Sequence, residues 1–217
     1  MKKVIFSMLL FALTLTVSYA QQPDKILEAS ISKLDNAKTV EDYEQLAESF
    51  LQVADERQTQ WLPYYYAAFC NAKIGWLNFD DPDKIEPYAD KADEAIQRAR
   101  KLLDSAVQQK EMSEVYVVLS MINRARVYIN VETYGRRYGI PAGQYTQMAR
   151  KANPDNPRAL YIEGWEKYAT PKLWGGDKNK AKELLTKAKK VLSGQSSAGT
   201  APRWGMQEVD ELLSKLK

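Results

Sequence analysis

The side chains that most often do chemistry are scarce in this chain. Its 217 residues include no histidine, which removes the commonest general base, the usual nucleophile triads and most zinc sites together. The single cysteine, Cys70, lies among Ala67, Ala68, Phe69 and Ala72 in a helical pattern, where it reads as a buried, inert thiol. Alone, it can form no disulfide within the chain. The Gly175-Gly176 pair of LWGGDKNK follows no strand and lacks the GK[ST] ending of a phosphate loop. The aspartates of NFDDPD (78–83) lack the alternating ligands, central glycine and closing glutamate of a calcium loop. A hydrolase built on two carboxylates alone is the one catalytic reading left, and it needs two acids facing each other across a cleft, at least one of them desolvated. Acidic pairs occur on every charged helix face here, so no enzymatic role, metal or cofactor is expected. Binding chemistry is better supplied, by 13 tyrosines, 5 tryptophans and 5 phenylalanines; aromatic residues and arginine are the types that anchor peptides and partner proteins.

The elements that would position them are helices. Ile26, Leu27, Ile31 and Leu34 mark a short helix over 24–36. Thr39 and Asp42 then form a capping-box start, and Val40, Tyr43, Leu46, Ala47, Phe50, Leu51 and Ala54 fall on one face of the helix it opens. The next helix, Trp61 to Leu77, is apolar and aromatic nearly all round, so it should be covered on more than one side. Asp81 and Pro82 cap a long helix expected to run from Pro82 to Gln109, about 40 Å at 1.5 Å per residue. Ser113 with Glu114 begins another, in which Tyr116, Leu119, Ser120 and Asn123 mirror Tyr64, Ala67, Ala68 and Asn71. The segment Tyr134 to Gly143 holds three glycines and a proline and predicts a loop or a broken helix end, with a short helix over 144–152 after it. From Asn153 to Lys190 the pattern is a complete helix, loop and helix: Pro154 and Pro157 precede a stripe of Leu160, Gly164, Trp165 and Tyr168, Pro171 and Gly175-Gly176 stop it, and Asp177 caps a face of Ala181, Leu184, Leu185 and Ala188. Ser193 to Gly205 reads as a flexible connection, and Met206, Val209, Leu212, Leu213 and Leu216 mark a last helix.

Gly164, with Ala181, Leu185 and Ala188 behind it, resembles a tetratricopeptide (TPR) repeat, which has a small residue within its first helix and an alanine, large apolar, alanine series in its second. Ala47, Leu51 and Ala54 repeat the series, as do Ala92, Ile96 and Ala99; Ala142 and Ala149 keep it with Thr146 in place of the large residue. The unit differs from the family in its extended Thr170 to Gly176 loop and in Ser193 where a proline is expected. The PKLWGGDKNKA loop is also similar to that of a TPR-like periplasmic component associated with some TRAP transporters. The resemblance implies an all-α, TPR-like solenoid of antiparallel helix pairs, with residues 206–217 as a C-terminal capping helix over the last unit. It further implies that the first helices line a groove, into which Tyr65, Phe69, Met121, Arg124, Tyr161, Trp165 and Tyr168 would point, unless they are core between adjacent helices.

Residues 1–20 carry Lys2 and Lys3, an apolar run from Val4 to Val17, and Ser18 and Ala20 where a signal peptidase reads, so they are expected to be a cleaved leader rather than a membrane span. No cysteine follows Ala20 to carry a lipid anchor. Taking Lys2 and Lys3 from 31 basic residues leaves 29 against 28 acidic ones, which disfavours nucleic acid as a partner. One domain over 21–217 is expected. The first functional reading is an exported, non-catalytic scaffold, periplasmic or secreted, that binds a protein or peptide in the cell envelope. The alternative is a small-molecule binding protein serving a transporter, with a pocket lined by the aromatics of Tyr64 to Phe69 and by Trp165.

Overall fold

The computed structural model describes residues 25–196 and 198–216, so the expected leader lies outside the described residues. These residues form nine α-helices and no strand: α1 (25–34), α2 (Val40–Glu56), α3 (Trp61–Leu77), α4 (Ile85–Lys101), α5 (Gln109–Val127), α6 (Val131–Ala152), α7 (Pro157–Ala169), α8 (Lys178–Ser193) and α9 (Met206–Ser214). The all-α class expected from the periodicity is the class found.

Pairs α3/α4, α5/α6 and α7/α8 pack along their lengths, and the first helix of each pair also touches the first helix of the next. Small side chains permit this close stacking. Ala47, Ala92, Ala142 and Ala181 are all buried, and a Cβ built on Gly75 of α3 would stand 3.1 Å from that of Ala125 on α5. The mirrored positions of the first helices behave alike: Asn71 donates to the Ala67 carbonyl at 3.0 Å and Asn123 to that of Leu119 at 2.8 Å. Thr39 and Asp42 form the expected capping box at the start of α2, with Asp42 accepting from the backbone of Lys38 and of Thr39 at 2.9 Å each. α5 lies at the centre, against α3, α4, α6 and α7, and is buried almost all round.

Three boundaries differ from the sequence pattern. The helix expected from Pro82 to Gln109 ends at Lys101, after a 3-10 turn over Pro82–Lys84. Leu103 still tucks into the core, but Asp104 accepts from the Ala106 backbone while its own N–H goes to Gln108 Oε1, both at 2.9 Å. Such local bonds offer the backbone a turn in place of a helix. Residues 109–112 then open α5, so Ser113 and Glu114, expected at its start, are buried inside it. The stretch 134–143, expected to be a loop, is the middle of α6. Each helical glycine costs about 1 kcal/mol against alanine, and Pro141 donates no bond to the preceding turn. Packing on α5 outweighs that: Ala142, Thr146 and Ala149 are buried against it, and the Ser120 and Ser113 hydroxyls donate to the carbonyls of Ala142 and Ala149 at 2.9 and 2.8 Å.

α9 packs on α8 and α7, and Glu208 reaches the Lys73 ammonium of α3 at 2.7 Å. The connection before it, expected to be flexible, has no helix among its described residues but is tied down. The Tyr66 hydroxyl donates to Thr200 O at 2.8 Å, Arg203 pairs with Asp35 at 2.8 Å, and Trp204 is buried.

Candidate functional site

The seven residues expected in a groove lie on α3, α5 and α7, and the structure divides them. Tyr65, Phe69, Met121, Arg124 and Tyr161 are buried, whereas Trp165 and Tyr168 are only partly so. The groove as first drawn is therefore mostly core, because the C-terminal segment lies over half of it.

Trp204 is what covers that half. Its indole stacks on Phe69 with centroids 4.2 Å apart, meets Tyr161 edge-on at 6.5 Å, and donates its N–H to the Tyr65 hydroxyl at 2.9 Å. Beneath it, Glu114 of α5 takes the Arg158 guanidinium of α7 on both carboxylate oxygens at 2.8 Å, and the Tyr65 hydroxyl donates to the same carboxylate at 3.1 Å. Burial opposes the Arg158 charge, yet the facing Glu114 outweighs it and holds the guanidinium above its ordinary pKa. Burial, reinforced by Glu114, pushes the Tyr65 phenol well up. Glu114, a buried carboxylate, is thus committed to a structural ion pair. Cys70 lies wholly inside, its thiol pushed up by burial, which makes it the inert residue its neighbours in sequence suggest. Among the described residues no group of three or more His, Cys, Asp or Glu side chains could hold a metal ion; Asp81 of NFDDPD pairs with Lys84 at 2.7 Å.

The other half of the same face remains open. Trp76 at the end of α3 and Trp165 on α7 reach across α5 until their centroids are 4.8 Å apart. Phe79 stacks on Tyr128 at 3.9 Å, and both lie 6.4 Å from Trp165. All four rings are partly exposed. Trp76 is fixed by its N–H, which donates to Met121 O at 2.9 Å. Arg124 of α5 lies over the Trp165 ring at 5.5 Å and gives one nitrogen to Glu166 at 2.5 Å and to Thr146 at 3.2 Å; its Nε is buried without a hydrogen-bond partner. Desolvation pulls the Arg124 guanidinium below its ordinary value, with Glu166 working against that shift. Burial likewise raises the Tyr128 phenol, opposed by Arg124, so it stays neutral near pH 7. Four rings with an adjacent cation form a surface that can take a flat apolar ligand bearing an anionic edge. Tyr168 stands apart from the cluster, with Lys178 over its ring at 5.8 Å.

Trp76, Phe79, Tyr128 and Trp204 were not among the groove residues expected from the sequence, although Trp76 belongs to the aromatic run of its helix. Tyr128 continues the Met121, Arg124 stripe by one further four-residue step and could have been found by spacing alone. Trp204 carried a compositional signal, a large aromatic in a polar Gly/Ser stretch. Phe79 lies beyond the end of its helix, where no period reaches.

A concavity of about 630 Å³ opens at the other ends of the same helices, where Trp61, Lys110, Pro157, Arg158, Val191 and Pro202 are among its lining residues. No helix among the described residues is long and apolar enough to cross a membrane.

No protein-family model matches the chain, and no curated protein does. Among solved structures it is similar to the HusA haemophore from Porphyromonas gingivalis, at 26% identity over 89% of this chain and 92% of that one, with a TM-score of 0.76.

Proposed function

We propose that this protein is an exported, non-catalytic carrier, with TPR-like helix pairs, that binds haem or a related flat tetrapyrrole on the Trp76, Phe79, Tyr128 and Trp165 cluster. The observation that carries this reading is the open half of the aromatic face, in a chain whose likeness to a haemophore extends over nearly the whole length of both. It favours the small-molecule alternative over a peptide scaffold, because the rest of the face, where a peptide would lie, is filled by the chain's own Trp204.

The residues present suit such a ligand in a particular way. With no histidine in the chain and Cys70 fully buried, neither an imidazole nor a thiolate is offered to the iron, and the affinity is assigned to ring stacking and apolar burial. Arg124 supplies the charge for a carboxylate edge, with Glu166 occupying that place in the free protein. The porphyrin ring is then the recognised part, and iron is carried along with it.

Titration followed by visible absorbance tests this with haem and with iron-free protoporphyrin. Both are expected to bind with similar affinity. Trp165→Ala should weaken each by about 30-fold, the effect of a loss of about 2 kcal/mol at a central aromatic contact. Trp61→Ala, in the separate cleft, should leave both unchanged. Absence of any spectral change with either ligand would return the protein to the scaffold reading, and dependence on Trp61 in place of Trp165 would move the site to the 630 Å³ cleft.

A further inference from the structure

The loop between α7 and α8 holds two large apolar side chains out in solvent. Leu173 is 89% exposed and Trp174 75%, more than any other large hydrophobic residue among those described except Val107, which is 77% exposed. The display is built. Pro171 starts a 3-10 turn over Lys172–Trp174, Gly175 takes a φ of +93°, and a Cβ on Gly176 would stand 1.7 Å from Thr170 O. The Gly176 and Asp177 N–H groups donate to Pro171 O and Lys167 O at 3.1 and 2.9 Å, and Lys167 Nζ donates to Gly175 O at 3.1 Å. A turn braced this closely cannot fold its own tip inward.

The charge around the tip is in basic excess. Lys167, Lys172, Lys178, Lys180 and Lys182 lie on the turn, the end of α7 and the first turns of α8, against three acids, of which Glu166 is paired with Arg124 at 2.5 Å. Asp177 is committed to the backbone N–H groups of Asn179 and Lys180 at 2.9 Å, and Glu183 to the Lys180 ammonium at 2.9 Å. The concavity at the base of this loop is lined by residues that include Lys167, Tyr168, Pro171, Lys172 and Lys178 but neither Leu173 nor Trp174, so the Leu-Trp tip projects clear of it with lysines on either side. The tip matches a yielding interface that accepts an indole at headgroup depth and presents negative charge around it.

We propose that Leu173 and Trp174 form a peripheral docking tip for an anionic lipid bilayer, steered by the surrounding lysines, with no helix of the described residues crossing the membrane. The ligand surface on Trp76 and Trp165 belongs to other elements, so docking and ligand binding are separable.

Vesicle co-sedimentation tests the proposal. The protein is expected to bind vesicles of mixed phosphatidylcholine and phosphatidylglycerol, and not phosphatidylcholine alone. Its tryptophan emission should shift to the blue on binding, and the shift should disappear in Leu173→Ala/Trp174→Ala. That variant is expected to lose at least about tenfold in partition, as removal of two inserted apolar side chains requires. Lys172→Glu/Lys178→Glu should lose about 25-fold or more, at about fivefold for each lysine removed, and about 1 M salt should abolish binding by shortening the Debye length to about 3 Å. Because both apolar side chains are exposed, Leu173→Ala/Trp174→Ala should keep its circular dichroism and its haem titration. Failure to bind anionic vesicles, equal binding to neutral ones, or partition unchanged in the apolar variant would each overturn the proposal. Loss of a co-purifying protein in that variant, without vesicle binding, would make the tip a protein contact instead.

Discussion

Glu114 and Arg158 show how little of a side chain's role its type declares. Both are charged, both are buried, and each satisfies the other through two bonds of 2.8 Å. Truncating one partner of such a pair typically costs about 3–5 kcal/mol, because the remaining charge is stranded. This pair holds α5 to α7 beneath Trp204 and leaves no spare carboxylate for acid-base work. Asp42 makes the opposite case, a fully exposed acid with a structural task. Its bonds to the backbone N–H groups of Lys38 and Thr39, and to the Thr39 hydroxyl, lower its pKa in the folded chain. The stability it contributes is therefore present above the unfolded carboxyl value, near about 4, and is lost as pH falls through that value toward the lower folded one. Asp42→Asn should be less stable than the parent at neutral pH, and the difference in urea midpoint should close as the solution becomes acidic. A difference that stays constant from about pH 7 to about pH 2 would show that the carboxylate has no such role.

At the scale of elements, glycines of the same type do opposite things. A Cβ on Gly164 of α7 would come within 3.0 Å of Leu185 and 3.4 Å of the Ala181 carbonyl on α8, so this glycine sets how closely the two helices cross. A Cβ on Gly135 in α6 would meet nothing within 4 Å. Gly164→Ala should destabilise by about 1–3 kcal/mol through overpacking. Gly135→Ala should stabilise by about 0.5–1 kcal/mol by relieving a helical glycine. Equilibrium urea unfolding of the two variants decides this, and equal effects would mean that the α7/α8 crossing has more slack than its distances suggest. The same contrast explains why α6 is continuous where its sequence predicts a break. Local propensity reads YGRRYGIPAG as a break, but propensity is decided by neighbours, and α5 offers α6 a full apolar seam with two serine hydroxyls bonded to its backbone.

For the molecule as a whole, the C-terminal segment does more than cover the last pair. Through Trp204 on Phe69, Arg203 on Asp35 and Glu208 on Lys73 it ties the end of the chain to α1 and α3. Trp204→Ala should cost about 3–5 kcal/mol, as a large buried side chain does. Amide exchange should quicken over 199–216 before it does in α5, and exchange that quickens evenly along the chain would refute the segment's role as a strap.

The distribution of apolar residues by itself determined that this protein is built from helices, where most of them lie, and which alanines and glycines meet at their crossings. Those are local properties, carried by spacings of three and four and by caps such as Thr39 and Asp177. Spacing also placed Trp165 on a helical stripe, while Arg124 came forward through the resemblance to TPR repeats. Only the tertiary structure decided which aromatic residues are free to bind, because Trp204, 39 positions beyond Trp165, covers Tyr65, Phe69 and Tyr161 and leaves Trp76, Phe79, Tyr128 and Trp165 open. A residue's burial depends on what distant chain comes to lie over it, and helical periodicity holds no record of that.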